Sequence, residues 1–380
     1  MKRVCIIQRV MCDYRKKFYL LLHGKLLSEN ISLVVCAGLP WPGEGFVDVL
    51  GELGFGARSE NIKIAGKAYW QKGALGPAKN TDLIIFEQAN SALINYYLLL
   101  KRKLGGKAKV AYWGHGWHFS KNSGVRNSWK RFFANKTDWW FAYTELSAKN
   151  VEKTGFPRDK ITVLNNAVDT TSMRNERKKV TATQLAALRE ELFGQDKLPN
   201  SEYVFGVFSG RLVEDKMIPF LLESVELIHE KIPNFRMIII GDGPEKNRVA
   251  RFCEKNRWCA WLGRLPTMSE RGIIICSLGD IWIHPGAVGL AILDAFSFGI
   301  PLVTTDIGVH GPEIAYLEQD VNGMITDHTP LGYATAVVDI LNNKDRLENM
   351  RRAATRSSEL YTVEAMAENY AEGIIKCLSA

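Results

Sequence analysis

Residues 280–306 read DIWIHPGAVGLAILDAFSFGIPLVTTD. Ile281-Trp282-Ile283 is a short apolar run with the length of a buried strand, and His284-Pro285-Gly286 turns the chain. Leu290, Leu293 and Phe296, with Ala287, Ala291 and Ala295, then recur at helical spacing as far as Phe298-Gly299. Gly299 suits the residue just past a helix, and Pro301 prevents continuation. Leu302-Val303-Thr304-Thr305 is a second short strand. Strand, glycine turn, helix, strand is one βαβ unit, and its glycine turn sits at a helix N-terminus. Free backbone N–H groups and the helix dipole favour an anion such as a phosphate there. Asp294 lies one helical turn further in, within reach of a ribose hydroxyl.

Outward from this unit, the whole chain alternates apolar strands with helices. In the first half the strands are Val4–Gln8, Leu33–Ala37, Leu83–Glu87, Val110–Trp113, Trp139–Thr144 and Ile161–Leu164. After a polar stretch, a second series begins with Val204–Ser209, Phe235–Ile240 and Trp258–Leu262. Continuous apolar runs of this kind predict parallel sheets covered on both faces. The expected organisation is an N-terminal domain over residues 1–170, a linker and lead-in helix over 171–200, and a C-terminal domain over 201–362. An amphipathic helix over about 363–380 is expected to return to the first domain. At 380 residues the chain is too long for one typical core.

Composition narrows the class. Hydrophobic residues make up 46% and charged residues 24%, as in ordinary soluble proteins. No apolar run reaches the roughly 18 residues of a membrane span. The N-terminus starts a strand at once and reads as no signal peptide. Seven cysteines are scattered without CxxC or paired spacing, which points to buried thiols in a reducing compartment. The net charge is +8, and much of the excess lies between Lys101 and Lys136. There Arg126, Lys130, Arg131 and Lys136 interleave with Trp129, Phe132 and Phe133. That mixture suits an anionic membrane surface and would also suit nucleic acid, or else is a solvated basic helix face. No nucleic-acid motif accompanies it. No DxD pair and no His/Cys cluster at ligand spacing is present, so no metal site is expected.

Arg211 and Lys216 follow the strand Val204–Ser209, five positions apart, at the sheet edge where α/β ligands bind. Two cations there can neutralise an anionic ligand such as a diphosphate. The alternative is a surface ion pair with Glu214 or Asp215. His115, flanked by Gly114 and Gly116 after a strand, can face a cleft, or be a structural turn histidine.

The C-terminal half resembles the retaining GT-B glycosyltransferases, in particular glycosyltransferase family 4. Gly210-Arg211-Leu212-Val213-Glu214-Asp215-Lys216 resembles that family's GRLxxxK phosphate clamp. Ile240-Gly241-Asp242-Gly243-Pro244-Glu245 resembles its GxGP turn, and Trp261-Leu262-Gly263-Arg264 its nucleobase loop. Pro285–Pro301 resembles its donor-sugar motif. In the first half, Asn166 and Asp169 fall in a similar NxxD pattern, and His115 sits where the family often has an active-site histidine. The resemblance implies a GT-B fold of two Rossmann-like domains facing a central cleft. It implies a nucleoside diphosphate sugar as donor, no metal or other cofactor, and retention of anomeric configuration. Glu313 resembles a position near the donor phosphates. Asp13 and Arg15, after the first strand, face the expected acceptor side.

One departure stands out. The family usually has a Glu just after the strand, contacting the donor sugar, and a second Glu eight positions on, holding the ribose. Here these are Gly286 and Asp294. Asp294 keeps the ribose role with a shorter arm. Donor positioning is expected to pass to the backbone amides of Gly286, Ala287, Val288, Gly289 and Leu290. The resulting expectation is a cytoplasmic enzyme, peripheral on the inner face of the cytoplasmic membrane, acting on a lipid-linked or envelope polysaccharide acceptor. Alternatives are a sugar-nucleotide epimerase of the same fold and a non-catalytic nucleotide-sugar-binding protein.

Overall fold

The computed structural model describes residues 1–44, 46–116, 133, 135–194 and 203–380. Arg126, Trp129, Lys130, Arg131 and Phe132 of the basic aromatic stretch lie outside the described residues, as does His118. The chain divides into two compact units, Met1–Val168 with Val363–Ala380, and Asp169–Thr362.

In the first unit a seven-stranded sheet runs β3-β2-β1-β6-β7-β8-β9. Its strands are β1 (Lys2–Val10), β2 (Ile31–Gly38), β3 (Gly56–Arg58), β6 (Leu83–Glu87), β7 (Lys109–Gly114), β8 (Trp139–Ala142) and β9 (Ile161–Val163). All their pairings are parallel. Val4, Ile6, Phe86, Trp113, Trp140 and Phe141 are fully buried, because helices cover both faces. A two-stranded antiparallel ribbon, β4 (Glu60–Ala65) and β5 (Ala68–Lys72), projects beside this sheet.

The helix Val363–Ser379 belongs to this first unit. Tyr370 stacks on Phe141 at 4.5 Å and meets the edge of Trp113 at 5.1 Å. Asn369 Nδ2 donates to the Leu164 carbonyl at 3.1 Å, and Lys109 Nζ donates to the Cys377 carbonyl at 2.7 Å. Gly373 allows the close approach, since a Cβ there would lie 2.5 Å from Thr162 Oγ1.

The second unit is a six-stranded parallel sheet, order β12-β11-β10-β13-β14-β15. Its strands are β10 (Val204–Ser209), β11 (Phe235–Ile240), β12 (Cys259–Trp261), β13 (Ile281–Ile283), β14 (Leu302–Thr305) and β15 (Gly323–Thr326). Its core gathers Phe208, Leu221, Met237, Ile239, Ile283 and Tyr333. Each fully buried aliphatic or aromatic side chain there contributes about 1.5–3 kcal/mol by leaving water. The stretch 171–200, expected as linker and lead-in helix, holds most of helix Thr170–Arg177 and all of helix Ala182–Phe193. Asp169 caps the first, its Oδ1 accepting the Ser172 N–H, and a Thr181/Gln184 capping box starts the second. All seven cysteines are free thiols; Cys253 and Cys259 bring their sulfurs to 3.3 Å.

Candidate functional site

The organising stretch folds as strand β13, a turn, helix Ala291–Ser297 and strand β14. The helix ends in a Schellman arrangement: the Gly299 N–H donates to Phe296 O and the Ile300 N–H to Ala295 O, with Gly299 at φ +59.

Four loops meet at the carboxyl edge of the second unit's sheet. The first is Gly210-Arg211-Leu212 after β10. The second is Gly241-Asp242-Gly243 after β11. The Gly210 and Leu212 N–H groups donate to the carbonyls of Ile240 and Asp242. Gly241 sits at φ +151, and a Cβ on it would lie 1.9 Å from the Gly210 oxygen. Only glycine fits there. The third loop, Leu262-Gly263-Arg264 after β12, is joined to the second. The Gly241 N–H donates to Gly263 O at 2.7 Å, and Trp261 Nε1 donates to Gly241 O at 2.9 Å. Arg264 is exposed.

The fourth loop, Pro285–Leu290, is held along its length. Thr305 Oγ1 donates to Pro285 O at 2.7 Å, and the Ala287 N–H donates to Asp215 O at 2.8 Å. Lys216 Nζ donates to the Ala287 carbonyl, which also receives His284 Nε2–H at 3.2 Å. The Val288 N–H donates to His310 Nδ1 at 3.1 Å, and Val288 O accepts the Gly311 N–H at 2.6 Å. This corrects the expectation that all five amides of 286–290 serve an anion. Those of Ala287 and Val288 are satisfied within the protein, because a buried loop must pair its polar backbone. Among the described residues, the N–H groups of Gly289 and Leu290 have no acceptor, and both residues are half-exposed ahead of helix Ala291–Ser297.

Glycine at position 286 has a steric cause. A Cβ there would lie 2.4 Å from the Lys216 carbonyl carbon and 2.5 Å from the Asp215 oxygen. The turn Glu214–Lys216 fills the space a side chain would need.

The charges are distributed as follows. Arg211 is exposed and makes no ion pair among the described residues, so the surface-pair alternative with Glu214 or Asp215 is absent here. Lys216 is half-buried; burial pulls its pKa down, partly offset by Asp215 and Glu313. Glu313 is buried in the 3-10 turn Pro312–Tyr316. Asp294 is half-buried and accepts from Thr267 Oγ1 at 3.4 Å. Desolvation pushes its carboxyl up to about 7, against the hydrogen bond from Thr267. His284, wholly buried against Phe208, is pushed down to about 3 by burial and by Lys216, and is neutral.

In the first unit, His115 is exposed and its ring lies 4.4 Å from that of Tyr143. Gly116, at φ +70, leaves only 2.7 Å between an added Cβ and Ser147 O. Asp13 is exposed, its Oδ1 accepting the Tyr14 N–H at 2.9 Å. Arg15 is turned inward. Nη2 donates to Asn166 Oδ1 at 2.7 Å and Nη1 to Met366 Sδ at 3.4 Å, with the rings of Trp113 and Tyr143 over its guanidinium. It is buried, so the expectation that it faces an acceptor is replaced by a packing role.

Sequence reasoning missed Thr267, His310 and Thr305. Each acts through a backbone group or a carboxylate distant in sequence. The signal for His310 was its place beside Gly311-Pro312-Glu313. Among the described residues no group of three or more His, Cys, Asp or Glu is placed to hold a metal ion.

Residues 205–343 match the sequence model of the family described as Glycosyl transferases group 1. The match covers the four loops and the organising stretch. The alpha-monoglucosyldiacylglycerol synthase of Acholeplasma laidlawii is 22% identical over 193 residues, 50% of this chain and 46% of that protein. The putative glycosyltransferase EpsD of Bacillus subtilis (strain 168) is 26% identical over 281 residues, 69% of each chain. The match spans about half the length of the first of these relatives. The crystal structure of Anabaena Alr3699/HepE in complex with UDP superposes with a TM-score of 0.69 at 17% identity, covering 99% of this chain and 100% of that one. The fold is therefore α/β, GT-B, with two Rossmann-like domains. Together these matches show the fold over the whole chain and a sequence likeness to glycosyl transferases over residues 205–343.

Proposed function

We propose that this chain is a retaining, metal-independent transferase of glycosyltransferase family 4. In this reading it moves a sugar from UDP or another nucleoside diphosphate to a lipid-linked or envelope polysaccharide acceptor. The observation that carries the reading is the gathering, at one sheet edge, of Arg211, Lys216, the unpaired amides of Gly289 and Leu290, and the Asp294 carboxylate. Arg211, Lys216 and the amides would take up the charge that builds on the departing diphosphate, which is the role a divalent cation plays elsewhere. Asp294 would accept hydrogen bonds from the ribose. The turn itself carries no carboxylate, so transfer there rests on charge neutralisation and positioning.

UDP is favoured because HepE is a UDP complex. A lipid-linked acceptor is favoured by the name of the A. laidlawii relative. A membrane-surface location is favoured by the helix Leu93–Lys103 and the residues after it. Tyr97, Leu100 and Leu104 are exposed there beside Lys101, Lys103 and Lys107, an apolar stripe edged with positive charge. No helix among the described residues is long and apolar enough to cross a membrane. In this reading His115 and Asp13 serve the sugar and acceptor side. The relatives above are named for synthesis or transfer, so the epimerase alternative is not favoured.

The deciding experiment is a thermal-shift panel of UDP, GDP, dTDP and CMP, with and without EDTA. A bound ligand raises the melting temperature according to its affinity and concentration. A shift with UDP that survives EDTA and disappears in Arg211→Ala is the expected result. No shift with any nucleotide would remove the reading.

A further inference from the structure

His310 is the second half of a two-point clamp on Val288. Its Nε2 donates to Thr305 O at 2.8 Å and its Nδ1 accepts the Val288 N–H at 3.1 Å. The next residue, Gly311, donates its own N–H to Val288 O at 2.6 Å. Both backbone polar groups of Val288 in the glycine turn are thus tied to residues 310 and 311, and nothing else among the described residues holds them. The partners define the tautomer as neutral, with the proton on Nε2. Gly311 admits no side chain at ease, since a Cβ would lie 2.9 Å from Val288 O and 2.9 Å from Glu313 Oε2.

We propose that His310 is a positioning residue that fixes Val288, so that the amides of Gly289 and Leu290 stay free for the donor's diphosphate. The role rests on the reading of this edge as a nucleotide-sugar site. Without His310 the Val288 N–H loses its acceptor and the turn is pinned only through Gly311. A protonated ring has the same effect, because Nδ1–H then opposes the Val288 N–H. The charged and titratable groups facing the ring are Asp306 on its own loop, Lys216 on the Glu214–Lys216 turn and His284 at the end of β13. Burial and Lys216 keep the ring neutral, while the Thr305 carbonyl and Asp306 act the other way.

The test uses the full chain with His310→Ala and His310→Asn. The carboxamide oxygen of the second variant can take the place of Nδ1 but does not titrate. Hydrogen exchange at the Val288 amide is read without ligand, and UDP-glucose affinity is read across pH. In His310→Ala, exchange at Val288 is expected to accelerate and affinity to fall about ten-fold, the worth of one net hydrogen bond. In His310→Asn, affinity is expected to stay within about three-fold of wild type by the same measure. In an Asp294→Asn background, which removes the other acid limb, affinity is expected to fall only on the acid side of the ordinary histidine range with His310 present, since burial and Lys216 lower the ring's pKa. It is expected to stay flat when His310→Asn is added to that background. Wild-type-like exchange and affinity in His310→Ala would overturn the proposal. If His310→Ala does not fold, the pH comparison on His310→Asn decides: an unchanged acid limb overturns it. Wild-type protein that binds no UDP-sugar would sink the donor reading and the positioning role together; binding that ignores His310 sinks the positioning role alone.

Discussion

Gly286 and Lys216 pack backbone to backbone, with 2.4 Å between an ideal Cβ on the glycine and the lysine's carbonyl carbon. A carboxylate side chain at position 286 is therefore excluded by the turn Glu214–Lys216 itself. Gly286→Ala is expected to lower stability by about 1–3 kcal/mol, the range for overpacking a tight site. Gly286→Glu is expected to cost at least as much and to leave kcat no higher than wild type. Urea unfolding and initial rates check both; a stable, faster Gly286→Glu would show that the turn yields easily.

Arg211 is exposed and makes no ion pair among the described residues, whereas Lys216 is half-buried and bonded to Ala287. Arg211→Ala is expected to keep the wild-type melting temperature while lowering kcat by about 10²–10³, as for loss of one oxyanion donor. Lys216→Met is expected to lose activity similarly and also to melt earlier, since the Ala287 carbonyl loses a partner. Equal melting for both variants would contradict the structural half of Lys216's role.

Asp294 titrates near 7 because the fold desolvates it. A folded pKa raised above the unfolded value means the protonated form is the better-tolerated one. Stability from this group is therefore present at low pH and lost as pH rises through about 7. Ribose hydroxyls need the ionised form as acceptor, so UDP affinity is expected to rise as pH increases through that value. Asp294→Asn is expected to flatten that profile, to weaken UDP, and to raise the melting temperature of the ligand-free protein on the alkaline side of it. A profile unchanged by the substitution would remove Asp294 from the ribose role.

Arg15 is buried beneath Trp113 and Tyr143 and bonded to Asn166. Arg15→Ala is expected to destabilise by about 2–4 kcal/mol through lost packing and the loss of this donor to the Asn166 amide oxygen. Assayed well below its melting temperature, the variant should keep its acceptor KM. A large acceptor KM change with unaltered stability would restore the surface role first expected for this residue.

The parallel strands were legible because burial on both faces leaves continuous apolar runs. Leu83–Glu87, Val204–Ser209, Phe235–Ile240, Ile281–Ile283 and Leu302–Thr305 all fall where those runs do. Strands β3 and β4 were not legible: GAR and ENIKIA are largely solvent-facing, so no burial pattern marks them. Helix Thr170–Arg177 hides for a related reason, burying only Thr170 and Met173 of a polar octet. In the candidate site, residue types at a loop were readable and through-space partners were not. Arg15 meets Asn166 from 151 positions away, and His310 meets Val288 from 22. Which amides of the glycine turn remain free depends on those partners, so the sequence could nominate five and only the fold could show that those of Ala287 and Val288 are already spent within the protein.

The helix Val363–Ser379 completes the unit that begins at Met1, so residues 169–362 form an insertion within it. Synthesis runs from the N-terminus, and domains tend to fold as they emerge. The first sheet must therefore wait, with Phe141 and Trp113 lacking Tyr370, while the whole intervening unit is made and can fold on its own. In order of synthesis, the second unit is thus finished before the first sheet receives its last aromatic partner.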